Sequence, residues 1–226
     1  PELKKAPRWY RDATYCYRRM KWFAGVAERF ERQKTQPEQT LDLWRGILIS
    51  KFKLAGVPVV VTTACAPDSD TVAVRIESAL VTRGQLAAQL AFPRGHDLAV
   101  KNTPGLDWSE PASHQSVLTE AGYFPAMIAR TVGRTQYTVT VNAVVTTVRP
   151  HVFRIASGGR PQPLLEFCVT FTDNGKAMTQ RDPTATFKAS ADHWGQFWRE
   201  TAAVDFSGST NPLAAKLEER IILSRY

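Results

Sequence analysis

The chain of 226 residues is long enough to bury a hydrophobic core, and its 43% hydrophobic and 22% charged residues exclude the disordered and fibrous classes of protein. A net charge of +8 suits an anionic partner, but the basic residues are dispersed, so we expect neither nucleic acid nor a membrane as its partner. The sequence has no run of about 20 apolar residues and no signal-peptide pattern at its start. Because it begins at Pro1 without an initiator Met, we expect a periplasmic or secreted protein if a signal was removed, and otherwise a cytoplasmic one.

The middle of the chain, residues 44–172, follows the hydrophobic period of two that predicts β-strands. In "TVAVRIES", Val72, Val74 and Ile76 would face a core while the residues between them face water, and "TQYTVTVN" and "LLEFCVTF" repeat this pattern. The runs "GILISKFKL" and "VPVVVTTA" are apolar on both faces and suit strands between two layers, joined by a turn at Ala55-Gly56. At least eight strands with no helical stretch among them predict a mainly β, antiparallel sandwich.

The segment from Phe92 to Ser116 is long and rich in Pro, Gly, Asp and His, which predicts an extended loop on the sandwich. Within it, Trp108 stands beside Asp107 and shortly before His114. An indole can stack on the apolar face of a sugar ring while polar neighbours bind its hydroxyls, so we predict that these three residues bind carbohydrate. The alternative is that Trp108 plugs the edge of the sandwich while the polar residues hold the loop in place.

The hydrophobic period becomes helical near residue 182, so we place a sandwich domain at residues 1–182 and a helical linker at residues 183–226. Ser190 is predicted to cap the first helix of the linker. One face of that helix carries three aromatic residues: Trp194, Phe197 and Trp198. Neither helix has enough helical material around it here to cover its apolar face.

The final helix is predicted to start after Asn211, its cap, and it carries an apolar stripe of Leu213, Leu217 and Ile221. Left uncovered, this stripe would stay exposed, fold back on the sandwich, or pair with a second copy of the chain. We therefore expect self-association or a frayed C-terminus.

The sequence carries no common catalytic motif: P-loop, GxGxxG, HExxH and GxSxG are all absent, and the four histidines are scattered. Cys16, Cys65 and Cys168 form no CxxC pair and have no histidine at metal-ligand spacing, so we predict buried free thiols on strands. We expect no metal, no cofactor and no catalytic residue within the chain.

Four segments together carry a resemblance: "LDLWRGILISKFKLAGVPVVVTTACAPDSDTVAVRIES", "LAFPRGHD", "LDWSEPASH" and "HWGQFWRETAAVDFSGSTNPLAAKLEERIILSRY". In this order they resemble the N-terminal region of bacterial glycoside hydrolases of the six-hairpin, (α/α)6-toroid type. The last segment is the most specific, because a "W..FW" helix and a "LE..I..S.Y" helix lead from the sandwich into the toroid in that group. The matching positions are Trp194, Phe197, Trp198, Leu217, Glu218, Ile221, Ser224 and Tyr226.

The resemblance implies a large antiparallel β-sandwich of the super-sandwich type, linker helices, and a downstream toroid that holds the catalytic carboxyl groups. The general acid of such enzymes lies inside the toroid, so this chain would be a non-catalytic N-terminal domain of a glycoside hydrolase or phosphorylase. Its partners would be carbohydrate and the toroid of its own polypeptide. The predicted contacts to the toroid are Trp194, Phe197, Trp198, Leu217 and Ile221, and Asp107, Trp108 and His114 would lie in a loop over the active-site mouth.

Two other functions remain open at this point. A free-standing carbohydrate-binding module would use exposed Trp residues to hold a glycan without catalysis. A basic polyanion-binding domain would use the net charge of +8 and the basic, aromatic stretch from Tyr15 to Lys34.

Overall fold

The computed structural model describes residues 34–94, 108, 110–119, 124–158, 162–173 and 181–226. The described part is mainly β, as predicted, and its elements are eleven strands, three α-helices and two short turns of other helix types. The strands are β1 (Lys34–Asp42), β2 (Ile47–Leu54), β3 (Val57–Cys65), β4 (Thr71–Glu77), β5 (Ala88–Ala91), β6 (His114–Leu118), β7 (Ala126–Val132), β8 (Thr135–Val141), β9 (Val144–Arg149), β10 (Val152–Ala156) and β11 (Leu164–Asp173). The helices are α1 (Ala79–Thr82), α2 (Pro183–Phe197) and α3 (Ala214–Arg225), with a 3-10 turn at Pro111–Ser113 and a π-turn at Trp198–Ala202.

The strands form two antiparallel sheets. The large sheet has eight strands in the order β1-β2-β3-β4-β11-β8-β7-β6, and the small sheet has three in the order β5-β10-β9. The β2–β3 hairpin turns at Ala55 and Gly56, with φ of 49° and 80°, which confirms the predicted turn. The prediction that no helix interrupts the strands is wrong, because the short helix α1 follows β4. Ser78 caps this helix, and its side chain accepts from the Leu80 amide.

The main core lies between the two sheets, because alternate residues of each strand point toward the other sheet. In β4, β8 and β11 the predicted inward residues Ile76, Val139 and Phe167 are buried there. The small sheet supplies Leu90, Val145, Phe153 and Ile155 to the same cluster. The period of two was therefore a correct guide to this face of the large sheet.

In β4 and β11 the other face of the large sheet was wrongly predicted to turn to water, whereas β2 and β3 are buried on this face too, as their two apolar faces predicted. Helix α2 covers this face and inserts Phe187 into a second buried cluster with Ile47, Ala64, Ala73 and Cys168. The small size of Ala73 and Ala64 lets the helix approach the strands closely. Cys168 is a buried free thiol, as predicted, whereas Cys65 at the end of β3 is exposed, contrary to the prediction, and Cys16 lies outside the described residues.

Helix α2 begins at Pro183, and its cap is Asp182, whose carboxylate accepts from the Ala185 amide. The predicted cap Ser190 instead lies inside the helix and is buried. Its hydroxyl donates across to the carbonyl oxygens of Arg45 and Gly46, in the turn between β1 and β2. Ser190 therefore attaches α2 to the sheet rather than starting the helix.

Helix α3 begins at Ala214, and the Asn211 side chain accepts from the Leu213 amide just before it, close to its predicted capping role. The linker between the helices is held by Glu218, whose carboxylate accepts from the Phe206 amide. Neither α2 nor α3, nor α1, is long and apolar enough to cross a membrane.

Candidate functional site

The structure describes part of the predicted carbohydrate-binding loop. Asp107 lies outside the described residues. Trp108 is described, and 37% of its surface is exposed. After it, the Glu110 carboxylate pairs with Arg94 at 2.5 Å, and the 3-10 turn leads into β6. The indole is thus accessible to solvent, and the described residues after it stay exposed up to His114, where the chain enters the sheet.

His114, the third residue of the prediction, points into the sandwich and is only 7% exposed. Its Nδ1 lies 2.8 Å from Nη1 of Arg130 on β7. A guanidinium can only donate hydrogen bonds, so Nδ1 of His114 must be the acceptor and the ring must be neutral, with its proton on Nε2. The structure therefore separates His114 from the solvent that reaches Trp108, and a role of His114 toward a sugar stays a prediction.

Arg130 is the centre of this buried cluster and is 3% exposed. It donates from Nε to the Tyr137 hydroxyl at 3.2 Å, from Nη1 to the Ser116 hydroxyl at 2.6 Å, and from Nη2 to the Pro93 carbonyl at 3.3 Å. Its guanidinium also lies 4.8 Å from the ring centroid of Phe92. Neutral oxygens and an aromatic face hold the buried positive charge in these contacts.

His151 completes the cluster from the turn between β9 and β10. Its ring stacks on His114 with the centroids 3.7 Å apart. Nε2 lies 2.7 Å from the Pro111 carbonyl, which can only accept, so Nε2 carries the proton. In the neutral ring, Nδ1 therefore accepts from the Ser116 hydroxyl at 2.8 Å. His151 has a left-handed backbone, with φ of 63°, so the turn itself aims the ring at β6.

The environment lowers the pKa of His114 from its ordinary 6.5 to about 4. Burial is the largest cause, since it penalises the charged ring, and the nearby charges of His151, Arg130 and Arg94 act in the same direction. The imidazole is therefore neutral at physiological pH, in agreement with the acceptor role of its Nδ1.

The contact between Ser116 and His151 has the distance expected of a nucleophile and its base. However, the same hydroxyl accepts from Arg130, and both imidazoles are buried under neighbouring side chains. The hydrogen bonds run from β7 through Ser116 to His151 and on to the Pro111 carbonyl, so they connect β7, β6, the 3-10 turn and the start of β10. We interpret the cluster as the attachment of β6 and the turn before it.

The sequence analysis missed Arg130, although the sequence contains a signal for it. In "AMIARTV", Ala126, Ile128 and Arg130 occupy alternate positions, and all three are buried. A charged residue in register with two core residues indicates a buried polar partner on a neighbouring strand. His151 has no comparable signal, since it lies in a turn far from His114 in sequence.

The predicted toroid contacts on α2 pack within this chain. Trp198 is 3% exposed, and its Nε1 donates to the Leu43 carbonyl at 2.7 Å. Trp194 lies between Phe197 and Trp198 on one side and Tyr226 on the other, with centroid distances of 5.4, 6.3 and 4.4 Å. These rings join α2 to the β1–β2 turn and to the end of α3.

The predicted contacts on α3 are more accessible. Leu217 is 52% exposed and Leu213, one turn before it on the same side of the chain, is 67% exposed. Ile221 is half-buried, and no residue of α3 is fully buried. Tyr226 turns toward Trp194, so the helix contacts α2 at its end and leaves Leu213 and Leu217 to solvent.

Among the described residues, no group of three or more His, Cys, Asp or Glu side chains could hold a metal ion. No protein-family model matches this chain, and no curated protein matches it either.

Proposed function

We propose that this chain is a non-catalytic β-sandwich domain of a carbohydrate-active enzyme, and that it supports a helical catalytic domain packed against α3. The observation that carries the proposal is the solvent-exposed side of α3, where Leu213 and Leu217 stand next to each other. Exposed leucines on a helix that is fixed to its own domain indicate a surface made for another partner. The resemblance of the closing segment to the six-hairpin glycoside hydrolases supplies the identity of that partner.

The attachment of α3 supports the same function. Tyr226 packs on Trp194, and Trp198 is bonded to the Leu43 carbonyl, so the helices are connected to the β1–β2 turn. A support domain needs such a connection, because a flexibly tethered helix would not fix the orientation of the domain packed on it. The sheet that carries the helices is packed on both faces, by the main core on one and by the second cluster on the other.

The coding sequence after Tyr226 tests the proposal directly. We expect several hundred further residues with the pattern of paired helices and an acidic residue suited to a general acid. A stop codon directly after the codon for Tyr226 would refute it.

Variants of the complete polypeptide test the surface itself. Leu217→Asp places a charge on the proposed interface and should lower both the melting temperature and the glycosidase or phosphorylase activity. Val148→Asp is the matched control, because Val148 on β9 is 57% exposed and lies on the small sheet, on the opposite side of the large sheet from α2. Equal effects of the two variants would contradict a contact at Leu217.

A free-standing carbohydrate-binding module is the second candidate, and the exposure of Trp108 favours it. It requires that the isolated chain bind a glycan and that Trp108→Ala abolish the binding. Trp44 is also exposed, so Trp44→Ala is the control for a general loss of indole contact. Absence of any tryptophan fluorescence response to a panel of oligosaccharides would exclude this candidate.

A further inference from the structure

Strand β6 lies at one edge of the large sheet. It is the last strand in the sheet order, has five residues, and among the described strands pairs with β7 alone. Its backbone can therefore leave the sheet without breaking any other strand pair. What fixes it from the side is the cluster of Arg130, His114 and His151.

Three side chains from outside β6 bond the segment of residues 110–118: Arg130, His151, and Arg94, which pairs with Glu110. Nη1 of Arg130, which carries two N–H groups, lies within hydrogen-bond distance of three acceptors of β6: Nδ1 of His114, the Gln115 carbonyl and the Ser116 hydroxyl, at 2.8, 3.0 and 2.6 Å. His151 bonds the Ser116 hydroxyl and the Pro111 carbonyl. The Arg130 arrangement depends on a neutral His114 imidazole, since Nδ1 of His114 acts as the acceptor.

If His114 were protonated at Nδ1, two hydrogen-bond donors would face each other, the new N–H of His114 and Nη1 of Arg130. A guanidinium cannot accept, so this hydrogen bond would be lost. It would also place two positive charges in contact in a buried place. The other groups facing His114 do not compensate: His151 stacks on it from the β9–β10 turn, Tyr137 on β8 bonds Arg130, and Arg94 after β5 is positive. The Glu110 carboxylate is bonded to Arg94.

We propose that protonation of His114 releases the segment of residues 110–118 from β7 while the rest of the sandwich stays folded, so that the edge of the large sheet opens in acid. This inference is independent of the proposed function. Release removes the clash, since the imidazolium can then turn to water. Trp108, just before the segment, would move with it.

The direction of the pH dependence follows from the pKa of His114, which folding lowers from 6.5 to about 4. The open segment binds the proton more tightly than the closed one, so closure is fully stable above pH 6.5 and weakens as the pH falls toward 4. Within this window the open fraction should rise by up to about tenfold per pH unit, which gives about 80-fold between pH 6.5 and 4, and the full factor of about 300 is approached only from well above pH 6.5 to well below pH 4.

Amide hydrogen exchange of the whole chain tests the proposal, with exchange rates corrected for their intrinsic pH dependence. Between pH 6.5 and 4 the amides of β6 should lose protection about 80-fold, while those of β4 and β11 keep theirs. His114→Asn keeps an acceptor for Arg130 but has no titratable group at this position. The protection of the β6 amides in this variant should therefore stay nearly constant between pH 6.5 and 4. His193→Asn, at an exposed position of α2, is the matched control and should behave as the wild type.

Three results would overturn the proposal. One is unchanged protection of β6 in acid, another is simultaneous loss of protection in β4 and β11, and the third is a pH response of His114→Asn equal to that of the wild type. If His114→Asn fails to fold, NMR titration of the imidazoles in the unmodified chain replaces it. A His114 ring that titrates near 6.5 with β6 still protected would then refute the proposal.

Discussion

Gly46, in the turn between β1 and β2, is the position where one added methyl group should do the most damage. Its φ is +63°, and a Cβ built there would lie 2.9 Å from Oγ of Ser190 and closer still to Cδ1 and Nε1 of Trp194. Real Cβ atoms do not approach other atoms so closely, so α2 and the turn touch without a gap at this residue. We predict that Gly46→Ala separates them.

The expected loss has two parts. An L-residue with a left-handed backbone costs about 1–2 kcal/mol, and overpacking against a fixed ring costs about 1–3 kcal/mol more. Trp194 cannot move aside cheaply, because Tyr226 lies 4.4 Å from it and Trp198 stacks on its other side. Gly46→Ala should therefore lower the free energy of unfolding by about 2–5 kcal/mol.

Gly56→Ala is the matched control. Gly56 has φ of +80°, but its Cβ would have no atom within 4 Å, so only the backbone part remains and the loss should be about 1–2 kcal/mol. Urea unfolding followed by circular dichroism measures the free energy of unfolding of both variants. Circular dichroism is preferred to tryptophan fluorescence, because Gly46→Ala is expected to displace Trp194. In a Trp194→Ala background, Gly46→Ala should lose most of its steric part and keep only the close contact with Oγ of Ser190, so its cost should fall toward that of the control. Equal losses for the two glycine variants in the wild-type background would refute the reasoning.

Three further changes test single contacts. Asp182→Ala removes the acceptor of the Ala185 amide and should lower the free energy of unfolding by about 1 kcal/mol in the same assay, and no change would mean that this cap is dispensable. Trp198→Phe keeps an aromatic ring but deletes the 2.7 Å bond to the Leu43 carbonyl, which should cost about 1–2 kcal/mol. Burial raises the pKa of Cys168 to about 11, so iodoacetamide at pH 8 should modify it only in urea, and peptide mass spectrometry that finds rapid labelling in the folded chain would contradict its burial.

The sequence was a good guide where the contacts are local. Alternation predicted the inward residues of β4, β8 and β11, because successive side chains of a strand must point to opposite faces. The turn at Ala55 and Gly56 was predictable from Gly56, because glycine adopts the positive φ of a tight hairpin turn without steric cost. These features depend on neighbours along the chain, which is the information that a single sequence contains.

The sequence was a poor guide where the contact joins distant segments. Ala73 was assigned to the water-facing side because it alternates with Val72, Val74 and Ile76, yet it is buried there against Phe187 of α2. Ser190 was interpreted as a cap because serine favours that position, but its partners are the carbonyl groups of Arg45 and Gly46, far away in sequence. The same holds for His114, whose acceptor role depends on Arg130.

These long-range contacts also narrow the proposed function. The aromatic residues of α2 were grouped with the leucines of α3 as contacts to a helical toroid. The Trp198 ring is buried and bonded to the Leu43 carbonyl, and Trp194 is covered by Tyr226, so these two rings contribute to the base of α3. Under the proposed function, the partner domain would pack on the side of α3 with Leu213 and Leu217, which is exposed. A partner domain would therefore contact the sandwich domain through α3. The position of α3 depends on Trp194, and Trp194 in turn can occupy its place only because Gly46 has no side chain.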